Sequence, residues 1–339
     1  MVIILKDKIK LIIKYIKENA LFFITLIIIV VLVNIKIPYS VYSPGGIINV
    51  DERLSGSIFK SNGEINLTYV TFSEGRLPNI LLALILPEWD IVKNSDVTYD
   101  NETLEELNLK DRIQLYSSIS NATYLAYKKA GKTIEITGDS SYIVSIADYA
   151  ETNLKIGDKI LSVDDKPIHT FNDILNIIEN HKINDTIKIK ISRNERELEC
   201  YALVKQDDDT KRIGIGVSKI NSYNLSPEVK YQYKKNEAGA SGGLMLSLAI
   251  YNSLTETDLT KGKIISGTGT IDEEGNVGEI SGVKYKLSGA VKNKSDVFIV
   301  PAANYEEAIS ERKKHNYDIK IIKATSFDQV LEELKNEEL

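Results

Sequence analysis

Asn236-Glu237-Ala238-Gly239-Ala240-Ser241-Gly242-Gly243-Leu244 leads into a mostly apolar run that ends at Leu254. A serine among tiny residues, directly before an apolar stretch of that length, reads as a loop turning into a buried helix. Glycines let another backbone approach closely and let the chain take dihedrals closed to other residues. A helix N-terminus leaves backbone N–H groups unpaired, and these can stabilise a developing negative charge. Serine is also a preferred helix cap. The local pattern therefore leaves two readings for Ser241: a structural cap, or a nucleophile flanked by Gly239, Ala240 and Gly242 as loop and oxyanion residues.

Strand and helix patterns continue on both sides. Upstream, Ile213 to Val217 and Val229 to Tyr233 read as strands. Downstream, Lys263 to Ile271 reads as a strand, and Glu274-Gly275-Asn276 as the turn of a hairpin into Val277–Ile280. Lys284 to Val291 has helical spacing, Val297 to Val300 is a buried strand, and Glu306 to Lys313 is a surface helix. Ile319 to Ile322 is a further strand, and Ser326-x-x-Gln329 is a capping box opening the last helix. Strands and helices mixed over this length make one α+β domain.

A second cluster lies within it: Ser266-Gly267-Thr268-Gly269-Thr270, then Gly275-x-Val277-Gly278-x-Ile280-Ser281-Gly282-Val283-Lys284-Tyr285-Lys286. Together with the serine loop, these residues resemble the Lon-type proteolytic domain (peptidase family S16), over roughly residues 211–336. The resemblance implies a ribosomal protein S5 domain 2-like fold and a serine endopeptidase with a Ser-Lys dyad. Ser241 would be the nucleophile, Lys286 the catalytic lysine and Thr268 a supporting residue. Lys284 is the rival lysine; two apart on a helix, the pair points in different directions. Aligning Ser281-Gly282-Val283 with the family's glycine pair selects Lys286. In this chain Ala240 and Gly242 stand where the family commonly has Pro and Ala, Ser281 replaces a glycine, and Ala238 occupies a position that is acidic in some relatives.

Upstream of both lies Leu154-Lys155-Ile156-Gly157-Asp158-Lys159-Ile160, followed by a tight acidic turn, a helical stretch from Phe171 to Asn180, and strands over Thr186–Ser192 and Glu197–Val204. This region, roughly 125–205, resembles a PDZ domain, which implies a groove taking an extended peptide as an added strand. Gly138, Ser141, Tyr142 and Ile143 are the expected substrate-binding loop and groove residues. Gln206 to Thr210 reads as a charged linker, and Asp111 to Ala130 as a helix stopped by Gly131.

The N-terminus carries Lys6, Lys8, Lys10, Lys14 and Lys17 before an uncharged stretch from Asn19 to Ile35. A membrane span needs roughly 17–25 predominantly apolar residues, so residues 19–37 are expected to cross, with Lys36 at the far interface. The positive-inside rule puts residues 1–18 in the cytoplasm and the catalytic domain outside, as a single-pass protein of the cell membrane. A cleaved signal peptide is the competing reading; Tyr39-Ser40-Val41-Tyr42 offers no small-x-small cleavage site. Residues 38–124 form an extracytoplasmic connecting region that packs with the later domains, and residues 45–110 suggest no role of their own.

A net charge of −6 argues against a nucleic-acid partner, which needs clustered cation. One cysteine, Cys200, excludes an intrachain disulfide and a Cys-rich metal centre. His169, His181 and His315 lack metal-ligand spacing and lie away from the serine loop. Gly131-Lys132-Thr133 lacks the upstream glycine of a phosphate loop, because Ala126 stands there. No cofactor, metal or nucleotide is therefore expected, and activity should not need ATP. Ser57-x-x-Lys60 and Ser281-x-x-Lys284 match part of the penicillin-recognising motif, but no S-D-N or K-T-G companion follows. The expectation is an α+β chain with an N-terminal transmembrane helix, a β-rich PDZ-like domain and a C-terminal Lon-type proteolytic domain. The resemblance is to membrane-anchored proteases of that type that process secreted or membrane-associated peptides and proteins. By analogy it implies a homo-oligomer, a hexamer. The alternative is a membrane-anchored PDZ adaptor with an inactive protease fold.

Overall fold

The computed structural model describes residues 2–56, 59–98, 102–168, 170–207 and 210–336; Ser57, His169, Asp208 and Asp209 lie outside them. The chain begins with α1 (Val2–Glu18), α2 (Ala20–Asn34), β1 (Lys36–Asn49), β2 (Leu54–Gly56), β3 (Glu64–Arg76), α3 (Leu77–Ala83), β4 (Asp90–Lys93) and α4 (Leu104–Lys129). It continues with β5 (Thr133–Ile146), β6 (Lys159–Val163), β7 (Lys166–Pro167), α5 (Phe171–Glu179), β8 (Thr186–Arg193), β9 (Arg196–Leu203), β10 (Lys205–Asp207), β11 (Thr210–Arg212) and β12 (Ile215–Ser226). Last come β13 (Val229–Tyr231), α6 (Gly243–Leu254), β14 (Ile264–Gly267), β15 (Thr270–Ile271), β16 (Val277–Gly278), α7 (Val283–Lys292), β17 (Val297–Pro301), α8 (Tyr305–Lys314), β18 (Lys320–Ala324) and α9 (Phe327–Asn336).

Two compact units divide the chain: Met1–Ser43 with Thr71–Val97, and Pro44–Val70 with Thr98–Leu339. In the first, α1 and α2 meet at an 80° bend between Glu18 and Ala20. The expected continuous span over 19–37 is instead a helix of 15 residues that stops at Asn34, with Lys36 opening a strand. At 1.5 Å per residue that is about 22 Å, short of a hydrocarbon core of about 30 Å. Among the described residues no single helix is long and apolar enough to cross a membrane; Lys10–Glu18 and Ala20–Asn34 pass only as a bent pair. Leu81, Leu82, Leu84 and Ile85, at and just after the end of α3, are all exposed. β1 pairs antiparallel with β4 from Tyr39↔Lys93 to Tyr42↔Asp90.

In the second unit, β18, β17, β14 and β3 form a parallel run of sheet in that order. Parallel strands are covered on both faces and so are apolar throughout, which is why every residue of β17 is buried. Val297 and Ile299 face a core shared with α4, α6 and α9, whereas Phe298 and Val300 face α7 and α8. β3 is the unexpected member. The connecting region supplies a strand of this parallel sheet, paired from Ile264↔Glu64 to Gly267↔Leu67. α4 is longer than its apolar spacing predicted, because Thr103 and Glu106 form a capping box before the first apolar turn.

A separate core lies within residues 143–217, built from Ile143, Ile160, Val163, Ile187, Ile189 and Ile191 of its strands and from Ile174, Ile177 and Ile178 of α5. Its sheet runs β12-β5-β6-β8-β9, with β7 paired to β6. Asp158 sits 1 % exposed in its turn, held by a two-point guanidinium contact from Arg193 at 2.7 Å on each oxygen. Of the expected charged linker at 206–210, Gln206 and Asp207 lie in β10 and Thr210 in β11, and these strands pair antiparallel from Lys205↔Arg212 to Asp207↔Thr210.

Candidate active site

Ser241 lies in the turn immediately before α6, on the loop that joins β13 to that helix. The loop is pinned at several points. Gly239 takes a φ of +90°, a conformation open to glycine, and its N–H donates to the Asp111 carbonyl at 2.8 Å. The Ala240 carbonyl accepts from Gly243 N–H at 3.1 Å and from the Ser118 hydroxyl at 3.0 Å. Arg53 reaches Glu237 Oε1 at 3.0 Å and the Gln232 carbonyl at 3.1 Å. Asp111, Ser118 and Arg53 carry no local motif that marks them, because each meets the loop across more than a hundred residues of sequence.

Thr268 follows β14, where the strand expected over 263–271 breaks into β14 and β15. Its N–H donates to Ile299 O at 2.9 Å, and its hydroxyl donates to the Ser241 carbonyl at 2.9 Å. Gly269 N–H donates to the same carbonyl at 2.7 Å. Two donors thus fix the peptide that follows Ser241. Among the described residues the backbone N–H groups of Ala240, Ser241 and Gly242 donate to nothing, whereas the Gly239 N–H is spent on Asp111. Of the expected oxyanion residues, Ala240 and Gly242 therefore keep an unspent donor and Gly239 does not. The Ser241 N–H is a further one.

Lys286 extends from α7 into the interior and is 4 % exposed. Its Nζ donates to Thr268 Oγ1 at 3.2 Å. Burial pushes its amine down from 10.5 to about 8, because the charged form loses its hydration. Since the Thr268 hydroxyl hydrogen is already given to Ser241 O, Thr268 offers Lys286 only a lone pair. That fixes which way the amine's own hydrogens point. Lys284 is half-exposed, and its ammonium lies 4.9 Å from the centroid of the Tyr285 ring. The structure therefore brings Ser241, Thr268 and Lys286 together and leaves Lys284 on the outer side of α7. Replacing Thr268 by Val should lower cleavage on the order of 10²-fold by loosening this geometry. Thr268→Ser should largely restore it, and Lys284→Ala should cleave like the wild type in the same kinetic assay.

The expected substrate loop is a strand. Gly138, Ser141, Tyr142 and Ile143 all lie in β5, opposite Ser222, Lys219, Ser218 and Val217 of β12. On the other edge Ser141 and Tyr142 face Ile160 and Lys159 of β6, and Ile143 exchanges bonds with Asp158 O and Gly157 N. Sequence spacing misses this because Gly138 and the polar residues after it look like a loop, whereas β5 runs unbroken through them from Thr133 to Ile146. Among the described residues no group of three or more His, Cys, Asp or Glu could hold a metal ion.

Comparison with known proteins divides the chain in the same way. Residues 131–204 match the PDZ domain family, and residues 234–336 match the Lon protease (S16) C-terminal proteolytic domain. Among solved structures, the PDZ domain of the SdrC-like protein from Listeria monocytogenes is similar at 24% identity, covering 24% of this chain and 92% of that one, with a TM-score of 0.23. The PDZ domain of the SdrC-like protein from Listeria innocua is similar at 23% identity over 23% of this chain and 92% of that one, with a TM-score of 0.22. The comparison with curated proteins finds no match. The chain carries a PDZ domain at residues 131–204 followed by a Lon-type (S16) C-terminal proteolytic domain at residues 234–336, the combination of a PDZ-containing peptidase.

Proposed function

We propose that the protein is an ATP-independent serine endopeptidase in which Ser241 is the nucleophile and Lys286 the general base. The observation that carries this reading is the buried Lys286 amine, tied through Thr268 to the backbone of Ser241 at the mouth of α6. In its neutral form Lys286 takes the Ser241 hydroxyl proton as Oγ attacks the scissile carbonyl. The free N–H groups of Ala240, Ser241 and Gly242 stand ready for the tetrahedral oxyanion. The protonated lysine then returns the proton to the leaving amine, an acyl-Ser241 ester remains, and water releases it with Lys286 again as base.

The anchored, extracytoplasmic setting belongs to the same proposal. It is supported by the lysines that precede the apolar helix and by the exposed Leu and Ile side chains around the end of α3. Substrates would then be secreted or membrane-associated polypeptides, with the PDZ domain selecting extended segments. The direct test is the full chain in detergent micelles with an unfolded protein, with and without ATP and magnesium. Equal cleavage under both conditions is expected. Strict dependence on ATP would overturn the ATP-independent reading, and no cleavage of any unfolded protein while the chain remains folded would leave the anchored adaptor as the better account.

A further inference from the structure

α4 lies outside both matched regions, 131–204 and 234–336, yet it reaches the serine loop at two points. Its Asp111 carbonyl accepts the Gly239 N–H at 2.8 Å, and its Ser118 hydroxyl donates to the Ala240 carbonyl at 3.0 Å. About two turns apart, these residues share one face of the helix. Ser118 is buried, and a Cβ at Gly243 would stand 2.6 Å from its Oγ, so the glycine opening α6 leaves the space that this hydroxyl fills. A helical serine or threonine often returns its hydrogen to the carbonyl four residues back, as Thr123 of the same helix does to Ile119 O at 2.7 Å. Ser118 gives its hydrogen to the loop instead.

A trans peptide is planar, so its carbonyl and its N–H point opposite ways in one plane. Ala240 O and the Ser241 N–H belong to one such peptide. Ser118 Oγ and the Gly243 N–H both hold that carbonyl, at 3.0 and 3.1 Å, and so set the direction of the Ser241 N–H. The next peptide is held in the same way. Thr268 Oγ1 and the Gly269 N–H hold Ser241 O, at 2.9 and 2.7 Å, and set the direction of the Gly242 N–H. One hydroxyl and one backbone N–H thus clamp each of the two peptides that flank the serine. The Ala240 N–H belongs to the peptide before these, whose carbonyl, Gly239 O, accepts no backbone hydrogen bond among the described residues. Oxyanion donors act most strongly when they are aimed in advance, because no reorganisation then accompanies the reaction.

We propose that Ser118 is a positioning residue of the active site, which aims the Ser241 N–H at the oxyanion by holding the Ala240 carbonyl. The Ser241 and Gly242 N–H groups are then the working donors. Ser118 touches no reacting atom; its hydroxyl does for the peptide before Ser241 what Thr268 does for the one after. The proposal rests on Ser241 as the nucleophile. It extends the catalytic unit to a helix outside the region that matches the protease family.

The test uses the full chain in detergent micelles and dye-labelled unfolded casein, with kcat and KM measured from pH 5 to pH 9. Ser118→Ala removes the hydroxyl and adds no volume. It should lower kcat about 10–100-fold, since the Gly243 N–H still holds the carbonyl, and leave KM within about 2-fold of the wild type. The midpoint of the pH profile should stay at the wild-type value, because Lys286 is untouched. Ser117→Ala is the control. That neighbouring hydroxyl donates to Lys219 O of β12 at 2.9 Å, so the helix loses a bond of the same kind away from the loop. Its kcat should match the wild type. Ser118→Ala cleaving within about 2-fold of the wild type would overturn the proposal. So would an equal loss in Ser117→Ala, or a shifted pH midpoint, which would move the effect to Lys286. Cleavage undiminished in Ser241→Ala would instead remove the nucleophile, and the role of Ser118 with it.

Discussion

Cleavage of an unfolded protein by the full chain is expected to fall on the order of 10⁴–10⁶-fold when Ser241 is replaced by Ala, and by a similar factor in Lys286→Met. The Ser241→Ala/Lys286→Met double variant should be no slower than the worse single one. Nucleophile and base act as one unit, so removing either removes the whole proton-coupled attack. Methionine keeps the volume of the buried lysine stem but cannot take a proton. The substitution therefore separates base chemistry from packing, and circular dichroism should find all three variants folded. Cleavage by Lys286→Met within about 10-fold of the wild type would exclude Lys286 as base, since positioned general bases contribute roughly 10²–10⁴-fold.

The second large effect is on pH. With the Lys286 amine pushed down to about 8, the neutral form that would serve as base is about a tenth of the population at pH 7. Log(kcat/KM) should therefore rise with unit slope from pH 5 to pH 8, close to 10³-fold in all, and level off above. A flat profile across that range would separate the rate from Lys286. The same burial acts on stability. The folded amine titrates near 8 and the unfolded one at 10.5, so between these values the unfolded chain holds more protons and stability rises with pH. Below pH 8 both states are protonated and the fold bears the full desolvation cost, about 3 kcal/mol from the interval between the two values. Lys286→Met should accordingly raise the melting temperature at pH 6 while abolishing cleavage, as expected where a functional group is held in strain against stability.

Much of the catalytic domain is legible locally because its elements are apolar runs between strong breakers. Leu244 to Leu254 and Val297 to Val300 are buried whatever their register, so their patterns survive tertiary contacts. Thr170 and Asp173 cap α5 as a four-residue motif, and the helix spans Phe171–Glu179, one residue short of the stretch its spacing marks. The N-terminal helix is less faithful to its composition. The uncharged stretch continues through Ile35, but the helix ends at Asn34 and the chain turns extended to pair as β1. β3 is less visible still. Its role as a neighbour of β14 depends on pairing across about 200 residues, which no local periodicity records.

By itself the sequence determined the serine loop before an apolar helix, the order of its strands and lysines, the PDZ-like turn around Asp158, and a basic segment leading into an apolar one. Each is a property of neighbours within a few residues, where backbone preference and side-chain period act directly. Only the tertiary structure decided which of two nearby lysines is buried. Their different faces of α7 acquire meaning once β14 brings Thr268 beneath one of them. It also decided that β12, which lies beyond the PDZ match in sequence, completes that domain's sheet by pairing with β5 when the chain folds back. Burial and long-range strand pairing are set by where distant segments meet.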